Sequence, residues 1–177
     1  MRQTDLSAAP ASTGDASIRQ ATTAADIEFA RALFVEYARW LNVDLCFQGF
    51  DEELRTLPGT YAPPRGRLLL AGHRGDAFAC IALRPLADPA VGEVKRLYVQ
   101  PARRGGGWGR MLVAALLADA RAIGYEELKL DTLDWMNAAR ALYEEAGFRA
   151  CAPYYANPLP GVVYMSLRLC DAEACRG

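Results

Sequence analysis

From Thr23 onward, apolar side chains recur at Ile27, Ala30, Phe34, Tyr37 and Leu41, the spacing of a helix with one apolar stripe. Thr23 is followed three residues later by Asp26, which reads as a capping box opening a helix of about 18 residues. A short second helix from Asp51 stops before Leu57-Pro58-Gly59, where the Pro-Gly pair breaks it. Tyr61 to Gly66 reads as loop. Leu68–Ala71 and Ala77–Leu83 flank the turn Gly72-His73-Arg74-Gly75-Asp76 and predict a hairpin, with the sole histidine in its turn. A strand at Glu93–Val99 leads into a glycine run and an apolar helix from Trp108 to Ile123, which Gly124 caps. Then follow a strand at Leu128–Leu133, a helix at Met136–Ala146 ended by Gly147, and a strand at Phe148–Tyr155. The turn Asn157–Gly161 leads to a last strand, Val162–Leu169. Strand-helix alternation in the second half, after antiparallel hairpins, predicts a mixed α/β fold with some parallel pairing.

Composition narrows the class. A chain of 177 residues with 52% apolar side chains suffices for one domain with a full core, expected over 18–170. Residues 1–17 are rich in Ala, Ser, Thr and Pro and lack both a basic and an apolar region; they read as a disordered tail, not an export signal. Residues 171–177 form a short C-terminal tail. Twenty basic against twenty-one acidic side chains leave a charge of -1, which argues against a nucleic-acid partner. The apolar runs fall far short of the roughly 20 residues of a membrane span, so no membrane role is expected. Five scattered cysteines without a C-x-x-C pair, and one histidine, make a metal site improbable and fit a cytoplasmic location.

The chemistry concentrates at Gly105-Gly106-Gly107-Trp108-Gly109, at a strand-to-helix junction. Glycines there let backbone N–H groups approach phosphate oxygens, and the helix N-terminus adds a favourable dipole. The run is not a dinucleotide fingerprint, because Arg110 stands where a third glycine is required, and it lacks the Gly-Lys-Ser/Thr of a Walker loop. Val94 to Ala118 carries Lys95, Arg96, Arg103, Arg104 and Arg110 and no acid, the pattern of a polyanion site; the plainer reading is a flexible loop with solvated arginines.

Leu97-Tyr98-Val99-Gln100-Pro101, followed by Arg104-Gly105-Gly106-Gly107-Trp108-Gly109, resembles motif A of the GNAT superfamily of acyl-CoA-dependent N-acyltransferases. Leu130-Asp131-Thr132, Asn137 and Ala141-Leu142-Tyr143-Glu144-Glu145-Ala146-Gly147-Phe148 are similar to its motif B. The resemblance spans about Ile18 to Leu169 and implies a single-domain α/β (α+β) fold, its mixed sheet splayed at the cofactor cleft and flanked by about four helices. It implies acetyl-CoA as cofactor, with the pyrophosphate on Arg104 to Arg110 and the pantetheine arm paired with Leu97, Tyr98 and Val99 like an added strand. Asn137 matches a position that often binds that arm. Tyr143 matches a tyrosine that faces the sulfur and can protonate the departing thiolate; it also fits an apolar helix stripe.

Acyl transfer requires a deprotonated amine. Glu93 has the spacing from Arg104 of a glutamate base in some GNAT members, and it is the expected base. The alternatives are that Glu93 pairs with Lys95 or Arg96, that Asp131 is the base, or that no residue acts directly. Phe47, Gln48 and Phe50 after the first helix, together with Asp131, Tyr154 and Tyr155, are candidates for the acceptor pocket; a regular strand would point the two tyrosines to opposite sides. The acceptor expected is an amine on a small molecule, an amino acid or a peptide, attacked directly in a ternary complex. A homodimer is compatible with the family. Rival readings are a non-catalytic acyl-CoA sensor and a domain whose basic stretch meets an acidic macromolecule.

Overall fold

The computed structural model describes residues 16–43 and 49–169. Expectations for residues 1–15, for Phe47 and Gln48, and for 170–177 lie outside the described residues. Along the chain run β1 (Ser17–Gln20), α1 (Ala24–Leu41), α2 (Phe50–Thr56), β2 (Arg67–Gly72), β3 (Ala79–Pro85), β4 (Val91–Val99), α3 (Trp108–Ile123), β5 (Glu127–Leu133), α4 (Asn137–Glu145), β6 (Arg149–Ala150) and β7 (Val162–Arg168).

α1 begins where the capping box places it. Thr23 Oγ1 accepts from the Asp26 amide at 3.1 Å, and Asp26 Oδ2 accepts from the Thr23 amide at 3.3 Å; such a cap contributes about 1 kcal/mol. Asp26 Oδ1 also accepts from Arg19 Nε at 3.0 Å, tying β1 to the helix. Asn42, in the left-handed conformation, ends α1.

The sheet has the order β1-β2-β3-β4-β5-β7-β6. Neighbours are antiparallel except β4 and β5, which the α3 crossover makes parallel. Alternation divides the core between its two faces. Leu69, Ala71, Ile81 and Leu83 pack with Leu112, Val113 and Leu116 of α3. Leu68, Leu70, Cys80 and Ala82 pack with Leu33 and Phe34 of α1. Full burial of each large aliphatic side chain stabilises the fold by roughly 1.5–3 kcal/mol.

Two features position the site. β4 and β5 pair only over Val91–Glu93 and Glu127–Lys129; beyond that, β4 stays with β3 while β5 stays with β7. The sheet therefore splays, and the edge of β4 after Glu93 faces a gap. A bulge then breaks the β3–β4 register, and Arg96 adopts φ 59° there. The extra residue re-aims the side chains of β4 at the point where the gap opens.

The segment expected as a strand over Phe148–Tyr155 is largely not one. Only Arg149 and Ala150 pair, with Ser166 and Met165. Pro153 has no N–H to give a ladder, and the chain leaves the sheet to fold back across β4 and β5.

Candidate active site

A cleft of about 700 Å³ opens beside the C-terminal end of β4, where that strand has parted from β5. Leu97, Tyr98 and Val99 form one wall, the loop from Arg103 with the start of α3 another, and α4 from Asn137 to Leu142 the third. Arg104, Gly105, Gly107, Trp108, Gly109, Arg110 and Asn137, all expected at a cofactor site, line this cleft; Gly106 does not, and turns instead against the Trp108 ring.

Gly105 and Gly107 adopt φ of +81° and +77°, with no heavy atom within 4 Å of where a Cβ would stand. Such conformations favour glycine, and the missing side chains leave backbone open to a ligand. α3 starts at Gly107 without a side-chain cap, so its first amides lack intrahelical acceptors and face the cleft with the positive end of the helix dipole. Arg104 donates to Val99 O at 3.0 Å, and its guanidinium lies 4.7 Å over the Trp40 ring. Arg110 pairs with Glu145 at 2.8 Å on the open surface. This cradle suits a pyrophosphate.

The acid-free stretch does not act as a unit. Arg103, Arg104 and Arg110 line the cleft, but Lys95 and Arg96 do not, and both are buried against carboxylates. Arg96 makes a two-pronged contact to Glu53 of α2, Nε to Oε1 at 2.9 Å and Nη2 to Oε2 at 2.5 Å. The Tyr61 hydroxyl donates to the same carboxylate at 2.7 Å. Burial alone would raise the Glu53 pKa; the Arg96 hydrogen bonds and charge outweigh it and hold the carboxyl below its ordinary value.

Lys95 Nζ donates to Asp131 Oδ1 at 2.9 Å, across the gap from β4 to β5, and lies 3.8 Å from Glu93 Oε1. Asp131 Oδ2 accepts from Asn157 at 3.2 Å. Lys95 and Asp131 line a small cavity of about 40 Å³ together with Tyr37 and Tyr143 among others; it meets the cleft at Leu97 and Met136. Tyr143 projects from α4 into this junction, its ring edge-on to Phe148 at 5.8 Å. Burial, followed by the fields of Tyr37 and Asp131, raises its pKa strongly, so the hydroxyl keeps its proton at every physiological pH. Burial likewise pushes Tyr37 up to about 12.

A second, larger cavity of about 580 Å³ lies on the face away from α3, lined by Arg84, Glu93, Lys95, Lys129, Tyr154 and Tyr155 among others. Glu93 is 1% exposed. Its Oε2 accepts from Arg84 Nε at 2.7 Å, and its Oε1 accepts from the Tyr154 hydroxyl at 2.8 Å. Partners thus engage both oxygens, and the carboxylate faces the outer cavity rather than Tyr143. Tyr154 and Tyr155 do not point to opposite sides of a strand. They lie in the returning loop with rings 5.2 Å apart, and both face this cavity. Burial first, then Glu93 for Tyr154 and Asp131 for Tyr155, raises both phenols. Phe50 is buried in the α1-side core, under the Arg96 guanidinium.

The sequence gives no site role to Arg84, Asn157, Tyr37, Trp40 or Trp135, and it offers Lys95 only as a phosphate cation or a partner of Glu93. Lys95 had a local signal, a lone lysine two residues after Glu93 on a strand, which places both on one face. The indoles of Trp40 and Trp135 meet at 5.7 Å on the cleft wall, a contact between elements far apart in sequence.

The model of the acetyltransferase (GNAT) family matches residues 31–148. The chain belongs to the GNAT family. It is an acetyltransferase of mixed α/β fold, and the matched span contains the residues that line the cleft. An uncharacterized N-acetyltransferase of Schizosaccharomyces pombe is 40% identical to this GNAT chain over 145 residues, covering 81% of this chain and 89% of that protein. A GNAT-family acetyltransferase of Staphylococcus aureus shares the fold at a TM-score of 0.72 and 16% identity, covering 87% of this chain and 99% of the other. The N-acetylglutamate synthase of Neisseria gonorrhoeae shares it at a TM-score of 0.66 and 22% identity, over 91% of this chain and 37% of that one. Among the described residues, no helix is long and apolar enough to cross a membrane.

Proposed function

We propose that this enzyme moves an acetyl group from acetyl-CoA to a primary amine of a small molecule, amino acid or peptide, by direct attack in a ternary complex. One observation carries this reading: the phosphate-type cleft and the Tyr143–Lys95–Asp131 cavity meet at the gap between β4 and β5. The Neisseria synthase of the same fold is complexed with coenzyme A. When bound, acetyl-CoA supplies an activated thioester.

The amides at the start of α3, with Arg104 and Arg110, would hold the pyrophosphate. The unpaired edge of Leu97–Val99 would hold the pantetheine arm as an added strand, and Asn137 flanks it. Tyr143 keeps its proton and would donate a hydrogen bond toward the thioester sulfur. The acceptor enters from the outer cavity, between Tyr155 and Lys95. Of the two carboxylates, Asp131 faces the junction with Tyr143 and takes the amine's proton. Glu93, the base expected from spacing, holds Lys95, Arg84 and Tyr154 in place. Cys80 is no nucleophile for a covalent route: it is fully buried, its thiol donates to Arg96 O at 3.3 Å, and burial raises its pKa strongly.

Thiol release over a panel of amines tests the reading, alongside calorimetric titration with coenzyme A. Binding with amine-dependent thiol release is expected. Binding without release for any amine would favour a sensor.

A further inference from the structure

Of the 20 cationic side chains, 18 are arginines; the two lysines are Lys95 and Lys129. Glu93 stands opposite Lys129 in the β4–β5 register, and Lys95 lies two residues beyond Glu93, so both lysines share one face of the sheet. Both line the outer cavity. The distinction is chemical. A guanidinium stays charged and is no nucleophile at workable pH, whereas an ε-ammonium can surrender a proton and become one.

Lys95 is also the buried one, 8% exposed, where lysine is rare unless paired. Its Nζ reaches past the end of strand pairing to Asp131 Oδ1 at 2.9 Å, with Glu93 Oε1 at 3.8 Å and the Tyr155 ring centroid at 6.0 Å. That places a primary ammonium, held by a carboxylate, in the junction cavity that Tyr143 also lines and that meets the donor cleft at Leu97 and Met136. An acceptor amine needs those same surroundings.

We propose that Lys95 is an internal acetyl acceptor: its ε-amine occupies the acceptor's subsite and is acetylated when acetyl-CoA is present without a competing amine. This rests on the acetyl transfer proposed above. Asp131 takes one proton from the Lys95 ammonium, and the freed lone pair forms a C–N bond to the acetyl carbonyl carbon. The C–S bond breaks. Of the three ammonium protons, one stays on the new amide, one ends on the thiol of coenzyme A with Tyr143 assisting, and one leaves through Asp131 to solvent. The products are N-acetyl-Lys95 and free coenzyme A, and no other reactant is needed. The modified side chain is neutral, leaves Asp131 without its ion pair, and fills the subsite with an amide, so self-modification and turnover exclude one another.

The test incubates the full chain with acetyl-CoA alone and follows the Lys95 peptide by mass spectrometry. The expected result is one acetyl group at Lys95, formed at a rate that Tyr143→Phe lowers by about two orders of magnitude. Excess of an amine that supports thiol release should suppress it, and Lys95→Arg should abolish it while Lys129→Arg does not. If coenzyme A binds and an external amine is acetylated but Lys95 stays unmodified, the proposal alone fails. It fails equally if Lys129 and Lys95 are modified at the same rate and Tyr143→Phe changes neither, the mark of chemical acetylation. If coenzyme A does not bind, it falls with the function on which it rests.

Discussion

Lys95 Nζ and Asp131 Oδ1 lie 2.9 Å apart, in a contact that bridges β4 and β5 just beyond the last residues these strands pair. In the proposed reaction, Asp131 takes the proton of the acceptor amine. Asp131→Asn keeps the shape and removes the charge. If Asp131 takes the amine's proton, kcat should fall by about two orders of magnitude, while coenzyme A affinity stays within about twofold. Steady-state kinetics in both substrates, with calorimetry, check this; an unchanged kcat would remove Asp131 as the base.

Tyr143→Phe removes one hydroxyl and keeps the ring packed on Phe148. Turnover should fall by about two orders of magnitude, with coenzyme A affinity changed by no more than about threefold. An unchanged kcat would leave the tyrosine a packing residue.

Gly107 and Gly75 make a matched pair, at φ +77° and +84°, each with open space where a Cβ would go. Alanine at either position should destabilise the fold by about 1–2 kcal/mol through backbone strain alone. Thermal unfolding should show similar losses for both variants. Only Gly107→Ala should also weaken coenzyme A binding, because Gly107 opens the cradle while Gly75 lies in the β2–β3 turn. Equal affinities in the two variants would argue against phosphate binding there.

Glu53 sits below its ordinary pKa in the fold, with burial opposing and the Arg96 contact prevailing. Its contribution to stability is therefore complete above the unfolded value of about 4.3 and is lost as pH falls through the folded value. Glu53→Gln leaves Arg96 buried without its counter-ion and should cost about 3–5 kcal/mol near neutral pH. Urea unfolding between about pH 7 and pH 3 should show a difference that narrows on acidification. A difference constant with pH would contradict the ion pair.

The helices were legible because their signals are local. The Thr23–Asp26 box, the glycine at the end of α3 and the apolar stripe of α1 all stand where the chain suggests. β1 was not legible: it has four residues, and β2 and the Arg19–Asp26 contact hold it rather than any pattern of its own. The strand expected at Phe148–Tyr155 failed because Pro153 cannot donate to a ladder and Tyr154 and Tyr155 pack their rings in a loop that folds over the sheet. On the donor side, glycines and arginines are contiguous in sequence, so their convergence could be read. On the acceptor side it could not. Lys95 was counted among cations awaiting phosphate, yet its partner lies 36 residues away on another strand, and the bulge at Arg96 that re-aims this part of β4 has no signature in residue type.

Calorimetric titration of the purified chain with acetyl-CoA, followed in the same cell by thiol release on adding amines, tests the acetyl-CoA-dependent reaction most directly. Saturable binding and thiol release with at least one primary amine is the expected result. Absence of binding at millimolar acetyl-CoA would contradict it.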